Sequence, residues 1–238
     1  MKLLTTLLFL LATTQSFATS KPKLALIWNG RGVCPFWCVS SSLKMAKKAG
    51  FRTIKVSNKT KNLSNLLNRA HVWIQPGGKS IKASKAMGKK IRGEIREFVR
   101  DGGGYVGFCA GMLLTTEKIS DSDQDGLGLV PGQTRHLMSE KDDKAMMLNI
   151  DLINGTQRSI YFSGGPYLVK AHQGVQVEAL YETGEVAAIS GRFGKGRVIV
   201  SGYHAETPNY WKLIRGFKDQ DGNDYDLPIS MIKRAAKD

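Results

Sequence analysis

The chain has 238 residues, with 35 Lys and Arg against 20 Asp and Glu, giving a formal net charge of +15. That length suits one α/β domain, and only the first apolar run departs from a soluble composition, so no later segment is expected to cross a membrane. Charge alone does not recommend nucleic acid: no recognised binding motif accompanies it.

The N-terminus reads as an address. Lys2 precedes the apolar run from Leu3 to Ala12, and Ser16-Phe17-Ala18 forms a small-x-small site. Residues 1–18 are therefore expected to be a secretory signal peptide, leaving residues 19–238 as the domain in a periplasmic or secreted location. The run is too short to anchor in a bilayer.

Leu24-Ala25-Leu26-Ile27-Trp28 is a continuous apolar run, the pattern of a strand buried on both faces. Asn29-Gly30-Arg31-Gly32 ends it, and Pro35 starts a helix expected to reach Gly50. Thr53 to Val56 is a second strand, Asn58 to Asn68 a polar loop with a helical turn, and Val72 to Gln75 a third strand that stops at Pro76-Gly77-Gly78. A helix follows from Ile81 to Arg100, with Lys82, Lys85, Lys89, Arg92 and Arg96 opposite Met87, Ile91 and Ile95. The basic stripe reads as a solvated outer face. The other reading it leaves open is attraction to an anionic envelope component, such as a phosphate or an acidic glycan.

Tyr105 to Phe108 is a fourth strand that changes abruptly to a helical pattern at Cys109, with Gly107 and Gly111 two places to either side. A strand turning straight into a helix holds its central residue in a cramped conformation and requires small neighbours, which is the nucleophile-elbow arrangement with cysteine in place of serine. The following helix end would favour thiolate. The same pattern also fits a glycine-rich turn around an inert cysteine.

After the elbow, Asp121-Ser122-Asp123-Gln124-Asp125-Gly126 looks like the start of a calcium loop, but Gly132 stands where a bidentate acid is required. It reads as an acidic turn, and no metal or cofactor is expected. Short strands then dominate: Met147 to Leu152, Ser159 to Phe162, Val175 to Tyr181, Val186 to Ser190 and Arg197 to Val200, with turns at Asn154-Gly155 and Gly194-Lys195-Gly196. The last strand delivers His204-Ala205-Glu206, a histidine with a carboxylate two places on that can act as a base and its orienter. Pro208 to Asp238 reads as two helices separated by an acidic turn from Asp219 to Asp226. Of the three cysteines, a Cys34–Cys38 bond would leave Cys109 free and a Cys34–Cys109 bond would silence it. A four-residue offset on a regular helix gives poor disulfide geometry.

Strand–helix alternation in the first half implies a parallel, doubly wound sheet with motifs at the carboxyl ends of its strands. Those motifs, Pro76-Gly77-Gly78, Gly107-Phe108-Cys109-Ala110-Gly111 and His204-Ala205-Glu206, resemble the class I glutamine-amidotransferase-like superfamily. More closely, Asn29 to Pro35, Tyr161 to Gly165 and Gly194 to Val198 are similar to the domain at the N-terminus of eukaryotic biotin–protein ligases and in stand-alone bacterial proteins. The resemblance implies a flavodoxin-like α/β sandwich, mainly parallel, with antiparallel strands added in the second half. It implies Cys109 as nucleophile, His204 as base and Glu206 as orienter, and an oxyanion pocket from N–H groups near Gly77 and Gly78 and of Ala110. Gly30, Tyr161, Gly164 and Gly165 would line the same cleft. Ala205 stands where the superfamily carries proline, and Lys79-Ser80 replaces small or acidic residues.

The expected activity is that of an exported cysteine hydrolase or acyl-transferase acting on a small-molecule or peptide-like amide or ester. The alternative is a binding module that keeps the cleft without turnover. A redox role for the three cysteines is a third reading, one that no Cys-x-x-Cys supports.

Overall fold

The computed structural model describes residues 22–138, 144–169 and 173–237, so the segment read as a signal peptide lies outside the described residues. The chain runs β1 (Leu24–Trp28), a π-turn (Pro35–Val39), α1 (Ser40–Lys48), β2 (Arg52–Val56), α2 (Leu63–Arg69), β3 (Val72–Gln75), α3 (Ser80–Arg100), β4 (Gly104–Phe108) and α4 (Ala110–Leu113). It continues through β5 (Thr134–His136), β6 (Met146–Leu152), β7 (Gln157–Phe162), β8 (Pro166–Leu168), β9 (Val175–Tyr181), β10 (Val186–Phe193), β11 (Gly196–Ser201), α5 (Asn209–Ile214) and α6 (Asp226–Ala235).

One mixed sheet takes the order β2-β1-β3-β4-β11-β10-β9-β6-β7, with β8 pairing β10 and β5 pairing β8 off that path. The first five strands are mutually parallel, and from β10 onward the pairing is antiparallel. This is the expected flavodoxin-like arrangement, with the antiparallel half grafted on through β11. Because β11 sits beside β4 in register (Val200 opposite Gly107, Ser201 opposite Phe108), the last strand of the sheet ends next to the strand that carries Cys109.

The unbroken apolar run of β1 is explained by its two faces. Leu24, Leu26 and Trp28 join a core with Leu67, Trp73, Ile95 and Val99, whereas Ala25 and Ile27 join a second core with Met45, Phe51 and Ile232. A third core lies in the antiparallel half around Ile160, Phe162 and Tyr181. Burying a side chain of this size removes it from water at about 1.5–3 kcal/mol each, which is why helices must cover both faces of the parallel half. Among the described residues no helix is long and apolar enough to cross a membrane.

Four local features differ from the expectations. The helix after Pro35 opens as a π-turn before continuing as α1. The Asn58–Asn68 stretch contains a true helix, α2. In α3, Gly88 adopts φ 62° and ψ 178° and kinks the element, because only glycine enters that region without a steric cost. Finally, the basic stripe of α3 is not wholly solvated. Arg92 donates to the carbonyl and hydroxyl oxygens of Ser84 and pairs with Asp125, while Arg96 donates to the carbonyl oxygens of Leu127 and Gly128. These two arginines strap the acidic turn onto the helix. Asp125 is also bonded by Lys118 at 2.7 Å, so its carboxylate is committed to cations of the chain itself.

Candidate active site

β4 leaves the sheet at Phe108, and Cys109 makes the corner with φ 50° and ψ −105°, one of three non-glycine residues at positive φ among the described residues. Its N–H donates to the carbonyl oxygen of Ser201 at the end of β11 (2.8 Å), and its own carbonyl accepts the N–H of Met112 (2.8 Å). Small neighbours are required as expected. A Cβ at Gly107 would lie 2.6 Å from the carbonyl carbon of Gly111, and one at Gly111 would lie 2.6 Å from the carbonyl oxygen of Gln75. The helix that follows, however, is a single turn, so it brings only a weak dipole to the corner.

His204 follows β11 and is fixed at its backbone, where its N–H donates to the carbonyl oxygen of Tyr161 (3.0 Å) and its carbonyl accepts the N–H of Thr207 (3.2 Å). The turn closes on these bonds with Ala205 in it. The imidazole Nδ1 lies 2.9 Å from Oε1 of Glu206, and the ring shares the cleft with Cys109, which acts on its charge. Burial works to lower the His204 pKa, but the negative charges of Glu206 and Cys109 on either side overcome it and hold the value well above 6.5. Glu206 is itself 1% exposed, and its second oxygen has no partner among the described residues, so the imidazolium is the group that balances its charge.

The sulfur of Cys109 opens into a cleft of about 640 Å³ and lies 3.7 Å from the carbonyl oxygen of Ser163. Gly78, Tyr161 and Gly164 line this cleft. Gly78 has φ 143°, and a Cβ there would lie 2.3 Å from the carbonyl oxygen of Gly32. Ala110, the first residue of α4, has no intrahelical acceptor for its N–H. Gly77 packs against Cε1 of the imidazole, beside the Nδ1 that Glu206 holds. Gly30, Gly77, Ala110 and Gly165 are not among the residues lining this cleft. Gly30 packs on the indole of Trp28, and Gly165 is pressed against the carbonyl of Gly202, so both serve close packing.

The sequence reading missed the walls. Trp37 stacks on Trp211 (centroids 5.1 Å, 10°), which stacks on Tyr161 (5.5 Å, 27°), forming an aromatic side that leads to His204. Lys79, Lys82 and Arg215 supply positive charge to the lining, and His136, also on the lining, has Nδ1 3.2 Å from the carbonyl oxygen of Gly164. Cys34 and Cys38 line the cleft as well, and all three cysteines are free thiols. The Asn29–Cys34 loop is drawn there by an antiparallel bridge between Val33 and Gly78. Aromatics clustered in Phe36-Trp37 and Tyr210-Trp211 were visible in the sequence, but nothing in their spacing shows that they meet.

A family model described as "Biotin-protein ligase, N terminal" matches residues 24–236. The chain is 26% identical over 182 residues to the pyridoxal 5′-phosphate synthase subunit PdxT of Listeria welshimeri, an alignment that covers 75% of this chain and 91% of that one. It is 28% identical over 158 residues to the biotin–protein ligase of Schizosaccharomyces pombe, covering 56% of this chain and 25% of the ligase. Among solved structures, a glutamine amidotransferase superposes with a TM-score of 0.62 at 18% identity, over 84% of this chain and 98% of that one. With the fold, the strand-end motifs and a match across nearly all of the described residues in agreement, the chain belongs to the biotin–protein ligase N-terminal family and has a glutamine-amidotransferase-like fold.

Proposed function

We propose that this protein is an exported cysteine hydrolase or acyl-transferase acting on a small amide or ester, with Cys109 as nucleophile, His204 as acid and base, and Glu206 as the group that orients and charges the imidazole. The Cys109 sulfur attacks the carbonyl carbon, and the N–H groups of Gly78 and Ala110 receive the developing oxyanion. His204 gives its proton to the leaving amine or alcohol as the tetrahedral species collapses to a thioester. In the second half, His204 takes a proton from water or from an acceptor hydroxyl or amine, which releases the acyl group and restores the thiol. Oxyanion donors of this kind are worth about 3 kcal/mol of transition-state stabilisation.

The observation that carries this reading is the contact chain Cys109–His204–Glu206, assembled from two strand ends at a residue held at positive φ. The fold shared with a glutamine amidotransferase is consistent with an amide as the reacting group, and the leader-like residues 1–18 support work outside the cytoplasm. The lysines and Arg215 on the lining favour a substrate with an anionic group, and the aromatic wall favours one with a flat or apolar face.

Alkylation resolved by residue tests the reading, since Cys34 competes for the same reagent. In His204→Ala, iodoacetamide labelling of Cys109 at pH 7 should fall about tenfold or more, because the base that activates the sulfur is gone. Labelling of Cys109 that is unchanged by His204→Ala would sink the proposed pair.

A further inference from the structure

The two cysteines that the mechanism leaves idle are arranged for chemistry of their own. On a regular helix, residues four apart hold their Cβ atoms about 5–6 Å apart, which is too far for a disulfide without movement. Here the intervening residues form a π-turn instead, closed by the bond from the N–H of Val39 to the carbonyl oxygen of Cys34 (3.1 Å). Pro35 starts this turn, and Cys34 precedes it with extended dihedrals (φ −84°, ψ 103°). The change of geometry leaves both side chains on the lining of one cleft, where each thiol acts on the charge of the other.

The pair is asymmetric in the way that exchange chemistry needs. Cys34 is partly exposed on the cleft, whereas Cys38 is buried behind it at 4% exposure. Interaction with Cys38 holds the Cys34 thiol down to about 5 against the effect of burial, assisted by the backbone N–H groups of Cys38 and Trp37 and by the charge of His204. Cys38 is pushed far up, by its interaction with Cys34 and by burial. The outer sulfur is thus the attacking thiolate and the inner one holds its proton until an electrophile has been engaged.

We propose that Cys34 and Cys38 form a second reactive site in the cleft, a thiol–disulfide exchange pair that takes a small disulfide as its substrate. This goes beyond the reading of Cys109 and does not depend on it. The Cys34 thiolate attacks one sulfur of R–S–S–R′; a Cys34–S–R bond forms, the S–S bond breaks, and R′S⁻ leaves and is protonated by solvent. Cys38 then releases its proton to solvent and its sulfur attacks Sγ of Cys34; the Cys34–Cys38 bond forms, the Cys34–S–R bond breaks, and RS⁻ leaves and is protonated by solvent. The cysteine pair has lost two electrons and one proton, and the disulfide has gained two electrons and two protons to become two thiols. Oxidation removes the thiolate charge beside His204, so the redox state of the outer pair reaches the neighbouring centre.

The test uses the reduced full-length chain exposed to oxidised glutathione, followed by acid quench, alkylation and peptide mapping. The expected product is a reductant-reversible Cys34–Cys38 link with Cys109 still free, and Cys109→Ala should form the same link. Cys38→Ser should instead retain one glutathionyl group on Cys34, because nothing resolves it. A Cys34–Cys109 link, glutathione persisting on Cys34 of the unsubstituted chain, or an unreacted Cys34 would each overturn the proposal, and the unsubstituted chain alone suffices for these outcomes if the variants fold poorly.

Discussion

Gly77 leaves the space that His204 fills: a Cβ built on Gly77 would lie 2.5 Å from Cε1 of the imidazole. Gly77 is not among the residues at positive φ, so the conflict is with the ring and not with the backbone. Since Nδ1 is held by Glu206 and the ring is buried, an added methyl must push the imidazole off its line to Cys109. Gly77→Ala should therefore fold, lose about 1–3 kcal/mol to overpacking, and label at Cys109 about as slowly as His204→Ala. Denaturant unfolding and alkylation resolved by residue check the two parts. Labelling at the unsubstituted rate would mean that this contact does not orient the base.

The corner at Cys109 makes a separate prediction about stability. Its φ of 50° with ψ −105° is a conformation that a side chain resists at a cost on the order of 1–3 kcal/mol, and glycine enters it freely. Alanine removes the sulfur and keeps the strain, whereas glycine removes both, at the expense of a more flexible unfolded chain. Cys109→Gly should accordingly be more stable than Cys109→Ala by about 1 kcal/mol, measured by chemical denaturation. The reverse order would show that the neighbouring structure, and not the side chain, sets the turn.

These positions show which parts of the molecule could be read in advance. The parallel half announces itself, because a strand covered on both faces must be apolar throughout, as Leu24 to Trp28 is, and because glycines mark where strands meet helices. Cys109, His204 and Glu206 could be named because each leaves a strand end within a short motif. Other features had no local signal. Three-residue strands such as β5 and β8 carry too little pattern to register. The π-turn depends on how Val33 bridges to Gly78, and the ties of Arg92 and Arg96 depend on where a distant loop folds back. The stacking of Trp37 on Trp211 joins opposite ends of the chain, so only the closed sheet reveals it.

The stretch after α5, which in sequence reads as an acidic turn between two helices, contains buried ion pairing. Lys212, 1% exposed, donates to Asp219 at 2.5 Å and to Asp224 at 3.0 Å. It follows Trp211 in α5, so this cluster fixes the helix that carries the aromatic wall. Lys212→Met should cost about 3–5 kcal/mol, because it strands two carboxylates away from water. The pH dependence has a definite sign. Burial raises the Asp224 pKa to about 6 from 3.8 despite Lys212, so the folded chain binds this proton more tightly than the unfolded one. Stability from this group must then fall as pH rises from 3.8 to about 6 and stay at the lower level above it, a decline on the order of 3 kcal/mol at most. Asp224→Asn removes the titration, so its unfolding free energy, followed across that interval, should lose this component of the decline. A variant whose curve tracks the unsubstituted chain through the same interval would show that Asp224 is ionised throughout, with Lys212 dominating over burial.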